Sequence, residues 1–199
     1  MSETVQKSGI EYRIHDTVKP WSIHDLEKET RFADLLVISE ELFFRNWGGE
    51  QPNHFLRQLL TYTECPAIVI PENYSLIEKL LLAYDGKCEA LFALKSFAYL
   101  FPRLCNLETM IIYVKKEENE SIPDLEYLEE FAVRHFPNLT IEKLHFDASK
   151  YLTDWISINK NAILITGSFG RSYLTNLVKQ SFVQKIIKEH SLPLFIAHK

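Results

Sequence analysis

The residue types that could do chemistry gather in two short segments. One is Ala83-Tyr84-Asp85-Gly86-Lys87 and the other is Thr166-Gly167-Ser168-Phe169-Gly170-Arg171-Ser172. Three of the six glycines of the chain fall in them, which marks places where backbone must approach something closely or adopt φ > 0. The chemistry they suit is anion binding. Gly167 and Gly170 would bring bare backbone toward a ligand, and a helix opening at Ser172 would offer unpaired N–H groups with a partial positive charge. Ser168 and Ser172 add hydroxyl donors, and Arg171 adds a planar guanidinium fork. Asp85 would stand opposite as an acceptor for a ribose hydroxyl or a base amine. A plain turn is the structural alternative, with Ser172 capping its own helix and Asp85 capping the next. Spacing alone leaves both open.

These loops need elements to hold them side by side. Short apolar runs rich in Leu, Ile and Val recur, as strands of a parallel sheet buried on both faces require. Strands are predicted at Lys79–Ala83, Thr109–Val114, Thr140–His145, Ala162–Thr166 and Leu194–Ala197. Helices are predicted between them at Cys88–Phe101, Pro123–Arg134, Ser149–Asn159 and Ser172–His190. In the last, Leu174, Leu177, Val178, Phe182, Val183, Ile186 and Ile187 fall on one stripe. Strand and helix alternating in this way imply right-handed crossovers and an α/β, Rossmann-like, doubly wound parallel five-stranded sheet of order 3-2-1-4-5. In that order the first and fourth strands are neighbours, and both candidate loops leave their carboxyl ends, where open α/β sheets bind ligands.

The N-terminal part reads as a partial copy of the same fold. Asp34–Ser39, a helix at Asn53–Thr63 and Cys65–Pro71 parallel Ala162–Gly167, the long helix and Ser191–Ala197. Asp34 precedes Pro66 by 32 positions, and Ala162 precedes Pro193 by 31. Upstream, Gly9–Ile14 and a helix near Trp21–Glu29 match Leu139–Leu144 and the helix after Ser149. This is an internal repeat, but the first copy lacks everything equivalent to Leu76–Phe136. Residues 1–73 therefore read as a degenerate half-domain and residues 76–199 as a complete domain. The half-copy must pair Ile10–Ile14 directly with Leu35–Ile38 or leave an apolar edge open. The expected compensation is pairing of Ala67–Ile70 with Phe195–Ala197, joining the half-copy to the domain, and a homo-oligomer is the rival cover. A truncated form of a longer tandem protein is the other reading left open.

Gly167-Ser168-Phe169-Gly170-Arg171-Ser172, together with Tyr84-Asp85-Gly86 and the terminal Leu192-Pro193-Leu194-Phe195-Ile196, resembles the universal stress protein family. The resemblance covers Leu76 to Lys199, and Gly9 to Pro71 resembles the back half of a second, tandem domain. It implies a cytoplasmic stress-response protein. The nucleotide-binding branch of the family has the pattern Gly, two residues, Gly, nine residues, Gly, then Ser or Thr. Carried over, Gly167 and Gly170 are the first glycines and Ser181 is the closing hydroxyl, but Gln180 stands where the third glycine would be. A glutamine puts a side chain where bare backbone would meet phosphate. Losing one charge-assisted contact there costs about 1.5–3 kcal/mol, roughly 10- to 100-fold in affinity. Gln180 could instead donate to a phosphate, with Arg171 and Lys179 supplying charge. The implied ligand is an adenine nucleotide, ATP with Mg²⁺, held by Asp85, Gly167, Ser168, Gly170, Arg171, Ser172, Gln180 and Ser181. The matching loop of the half-copy, Ser39-Glu40-Glu41-Leu42-Phe43-Phe44, has no glycine and two acids that repel phosphate.

Composition narrows the remaining classes. The chain is 46% hydrophobic and 25% charged, enough apolar content for a real core. Its net charge of -5 argues against general nucleic-acid binding, which needs a basic face. No apolar run reaches the roughly 20 residues that span a bilayer, and the first residues lack signal-peptide character, so a cytoplasmic protein is expected. Cys65, Cys88 and Cys105 show no CxxC spacing and read as buried free thiols. The seven histidines show no metal-ligand spacing, and no nucleophile–base set or carboxylate pair is legible. Lys115–Ser121 reads as a solvated charge run or a lid. The aromatic loop Phe43-Phe44, Trp47 and Gly48-Gly49 reads as packing for the missing strands. The sequence thus predicts a binding module. A protein-interaction module with an empty crevice is the alternative, and a slow Mg²⁺-dependent ATPase is the third reading.

Overall fold

The computed structural model describes residues 11, 22–39, 62–115, 121–145, 159, 161–167 and 192–197. Seven strands form one sheet: β1 (Leu36–Ser39), β2 (Ala67–Ile70), β3 (Lys79–Tyr84), β4 (Glu108–Lys115), β5 (Leu139–His145), β6 (Ala162–Thr166) and β7 (Leu194–Ile196). Accompanying them are the α-helices α1 (Ile23–Arg31), α2 (Cys88–Leu100) and α3 (Leu125–His135) and a short 3-10 helix at Leu104–Asn106.

The central strands are apolar on both faces because both faces are covered. All five residues of β6 are buried. Alternate residues divide between the faces: Leu80, Leu82 and Tyr84 of β3 join the core cluster under α2 and α3, while Leu81, on the other face, is also 0% exposed. On α2 the buried residues Ala90, Ala93, Leu94, Phe97 and Ala98 recur at the helical spacing of three and four, so one stripe meets the sheet. On α3, Leu128 and Ala132 do the same.

The strand order is β1-β2-β7-β6-β3-β4-β5. Within β3 to β7 this is the expected order 3-2-1-4-5, with β3 parallel to both β4 and β6. The chain steps outward from β3 through β4 to β5, then returns to β6 and proceeds the other way to β7, so the direction reverses between β3 and β6. On the far side, β2 pairs antiparallel with β7, Ala67 opposite Ile196, Ile68 opposite Phe195 and Val69 opposite Leu194. These are the segments singled out in the sequence for pairing. β1 then adds to β2 in parallel. The N-terminal strands β1 and β2 and the strands β3 to β7 thus share one sheet.

Local corrections have local causes. α3 begins at Leu125 rather than Pro123, because its N-cap Asp124 is left-handed at φ 51, a conformation that cannot continue a helix backward. α1 runs from Ile23 rather than Trp21. Its N-cap Ser22 accepts from the Asp25 amide and the Asp25 carboxylate accepts from the Ser22 amide, a reciprocal capping box. Glu11, the described residue of the predicted strand Gly9–Ile14, is exposed and carries no strand assignment. Tyr62 is helical; the rest of the predicted helix Asn53–Thr63 up to that point, the helices Ser149–Asn159 (apart from Asn159) and Ser172–His190, and the aromatic loop at Phe43–Gly49 lie outside the described residues. So does the core of the charge run, residues 116–120.

The end of α1 is tied to the residues that lead into β2. Arg31 donates to both carboxylate oxygens of Glu64, at 2.9 and 2.6 Å, and the buried Thr30 hydroxyl accepts from the Glu64 amide at 3.2 Å.

Candidate functional site

The parallel pairing of β3 with β6 carries the two candidate loops to the same end of the sheet. β3 ends at Tyr84, and α2 begins at Cys88 after three intervening residues. Within that connection Gly86 has φ +79, which a residue with a Cβ adopts only under strain. A Cβ there would also lie 2.6 Å from Cγ and 2.8 Å from Cβ of Pro123, so glycine is required on two grounds. Asp85 is half-buried, and its Oδ1 accepts from the Lys87 amide at 3.1 Å. That is an Asx turn, in which the side chain bonds its own backbone two residues on. Lys87 rather than Asp85 is the N-cap of α2, and it makes no side-chain cap.

Gly167 follows β6 directly and is buried. A Cβ on it would lie 2.6 Å from the carbonyl carbon of Glu89 and 2.7 Å from the amide nitrogen of Ala90. The close approach that glycine permits here is to the first turn of α2. Gly167 therefore rests on the helix that the Asp85 loop opens, which is how the two strand ends meet. Thr166 secures the strand end: its carbonyl accepts from the Ala197 amide at 3.3 Å, and its buried hydroxyl donates to the Gly167 carbonyl at 3.3 Å.

Of the eight sequence-predicted ligand residues, Asp85 and Gly167 are thus placed at one end of the sheet. Ser168, Gly170, Arg171, Ser172, Gln180 and Ser181 lie outside the described residues. Two residues that sequence reasoning did not assign to the site are at its edge. The Tyr84 hydroxyl donates to the Pro123 carbonyl at 3.2 Å, and Pro123 is the residue that packs on Gly86. Burial pushes the Tyr84 phenol up from its ordinary pKa, with Asp124 and Asp85 adding their negative charge. The phenol is a neutral donor throughout the physiological range. No sequence spacing signals this contact, which joins positions 39 apart.

The electrostatics divide the site. Around Tyr84 the carboxylates of Asp85 and Asp124 make an acceptor-rich region that suits neutral donors such as ribose hydroxyls or a base amine and repels phosphate. A phosphate would need Arg171, the amides of the β6 loop or a divalent cation. Mg²⁺ bound with a nucleotide would supply charge neutralisation there. Among the described residues no cluster of three or more His, Cys, Asp or Glu side chains is arranged to hold a metal by itself. A half-buried carboxylate fits the nucleoside end of the expected ligand.

The cysteines need one correction. Cys65 and Cys105 are buried free thiols as expected, but Cys88 is exposed at the first position of α2. Cys88 lies off the buried stripe, beginning at Ala90, that meets the sheet. Among the described residues, no helix is long and apolar enough to cross a membrane.

A doubly wound α/β sheet with a reversal of winding at the candidate loops defines a Rossmann-like fold, whose ligand sites, where it has them, lie at the carboxyl ends of the strands. Comparison with known proteins narrows this. No family model matches the chain. The sequence is 26% identical over 197 residues to a universal stress protein of Synechocystis, covering 96% of this chain and 67% of that protein. The fold resembles the crystal structure of a universal stress protein from Archaeoglobus fulgidus, with a TM-score of 0.68, 17% identity, and coverage of 99% of this chain and 72% of that one. It also resembles a functionally unknown protein from Pseudomonas aeruginosa, with a TM-score of 0.57, 12% identity, and coverage of 99% and 75%. Sequence likeness over nearly the whole chain, on this fold, supports the resemblance to the universal stress protein family.

Proposed function

We propose that this stress-response protein is a binding module whose ligand is an adenine nucleotide, ATP with Mg²⁺, at the carboxyl ends of β3 and β6. The observation that carries the reading is the convergence of the Asp85 and Gly167 loops at the point where the sheet reverses direction. Asp85 meets the ribose or base, and Gly167, Ser168, Gly170, Arg171, Ser172, Gln180 and Ser181 meet the phosphates. A cytoplasmic location and an absence of fast hydrolysis belong to the same reading. If hydrolysis occurs, it is slow and uses bound Mg²⁺ as the electrophile.

A second reading, an interaction module with no nucleotide, draws on a specific feature. Gly167 has a packing reason to be glycine, and Asp85 a turn to stabilise, so neither residue needs a ligand to explain it.

Isothermal titration with Mg-ATP separates these. Binding that weakens in Arg171→Ala and tightens in Gln180→Gly supports the phosphate site. No heat from the wild type or from Gln180→Gly favours the interaction module. Phosphate release above a protein-free control establishes the slow ATPase.

A further inference from the structure

Asp85 is flanked by two residues that both reach the same proline. On one side the Tyr84 hydroxyl bonds the Pro123 carbonyl at 3.2 Å. On the other, Gly86 lies so close to the Pro123 ring that a Cβ would come within 2.6 Å of it. The Asp85 carboxylate itself accepts from the Lys87 amide at 3.1 Å. Backbone is held before and after the carboxylate, and the carboxylate is held on its own turn. We infer that Tyr84 and Pro123 are positioning residues that fix where Asp85 presents its carboxylate, and so set how strongly the crevice recognises the donors of a nucleoside. The inference rests on the nucleotide reading above and names what orients its nucleoside end.

The clamp is not what holds the fold. Tyr84 is the last residue of β3 and pairs in register with Tyr113 of β4. α3 is anchored independently by Leu128 and Ala132, with Phe136 just beyond its end, none more than 2% exposed. Removing the Tyr84 hydroxyl leaves those contacts in place. It frees the Pro123 carbonyl, lets the ring lift from Gly86, and returns to that glycine the backbone freedom the proline denies it. The Asx turn then samples other geometries, and a donor must order the carboxylate as it binds.

The variants are Tyr84→Phe, which keeps the ring, and Pro123→Ala, which keeps the carbonyl but removes the ring. Amide hydrogen exchange is read at Lys87, whose N–H is the donor in the turn. The expected change is about two- to tenfold faster exchange in each variant, the size of one lost neutral hydrogen bond. Unchanged exchange in both overturns the clamp, whatever the ligand. Titrations then compare Mg-ATP with inorganic triphosphate, which lacks the nucleoside. ATP affinity is expected to fall about two- to tenfold while triphosphate affinity stays constant. Equal losses for both ligands would mean general loosening and overturn the positioning role, as would no loss of ATP affinity. A wild type that binds neither ligand overturns the nucleotide reading and its recognition step, while the exchange data still decide the clamp.

Discussion

Ile68 lies opposite Phe195 where β2 and β7 run antiparallel. The two residues occupy corresponding places in matched strand pairs. Leu36 of β1 donates its amide to the Pro66 carbonyl at 2.9 Å, and Leu164 of β6 donates to the Pro193 carbonyl at 3.0 Å. Registers match as well: Leu36 aligns with Ala67 and Leu164 with Leu194. Ile68 and Phe195 are each two residues beyond their proline, so a local twofold relation passes between them. Ala67 and Val69 accordingly face Ile196 and Leu194, each the counterpart of the other's. A self-complementary seam of this kind is what a twofold dimer makes between chains; here it closes within one chain and covers the outer edge of β7.

The seam is also a core contact. Phe195 is 0% exposed and stands edge-on to Phe97 at 5.2 Å and to Phe101 at 6.0 Å. Phe195→Ala should lower unfolding free energy by about 3–5 kcal/mol, read from urea denaturation. A loss under 1 kcal/mol would show that the aromatic cluster does not hold the two parts together.

The two glycines of the site should fail differently. Gly167→Ala forces a Cβ against helix backbone, which cannot rotate aside, and should cost about 1–3 kcal/mol in thermal or urea unfolding. Gly86→Ala meets a proline ring and a left-handed backbone, the latter alone worth about 1–2 kcal/mol. Gly86→Asn, which tolerates φ > 0 but keeps the clash, separates the two contributions. Equal stability of both alanine variants with wild type would refute the tight packing of these loops.

Thiol reactivity should be split one against two. Cys88 is exposed, whereas burial pushes the Cys105 thiol up to about 11 and also raises that of Cys65. The thiolate is the reacting species. An aromatic disulfide reagent near pH 8 should titrate one cysteine quickly in the native protein and all three in guanidinium. Cys88→Ser should abolish the fast phase.

Acid should loosen α1 and its tie to Glu64 before it loosens α2. Hydrogen bonds from Ser22 hold the Asp25 carboxyl below its ordinary value, and those from Arg31 do the same for Glu64. A carboxylate with a depressed folded pKa contributes stability at pH values above its ordinary range. That contribution is lost as pH falls through the folded value. Hydrogen-exchange protection in α1, relative to the intrinsic rate at each pH, should therefore fall below about pH 4, sooner than in α2. Ser22→Ala and Arg31→Ala should flatten this dependence, and α1 protection that is constant between about pH 6 and pH 3 would contradict it.

Much of the fold was legible because its signals are local. β6 was read to the residue, since Ala162–Thr166 is a short apolar run bounded by Asn161 and Gly167. α2 was read to within a residue, because Ala90, Ala93, Leu94, Phe97 and Ala98 carry the helical period in sequence. Repeated spacing around Pro66 and Pro193 singled out the two strands of the seam. At the candidate site, Asp85 and Gly167 were singled out by their residue types.

What they touch was decided by tertiary structure. Nothing in the neighbourhood of Gly167 says that its absent Cβ makes room for Glu89 and Ala90. Nothing near Tyr84 points to Pro123, and Asp124 gives no sign of the left-handed turn that delays α3. Side-chain periodicity reports which face of an element is buried, and it acts within a few residues. Contacts between loops arise only after the strands have aligned, when chain segments distant in sequence are carried to the same edge of the sheet. The sequence therefore determined the strands, their order and the chemistry available at their ends, and the assembled sheet decided which of those groups hold one another in place.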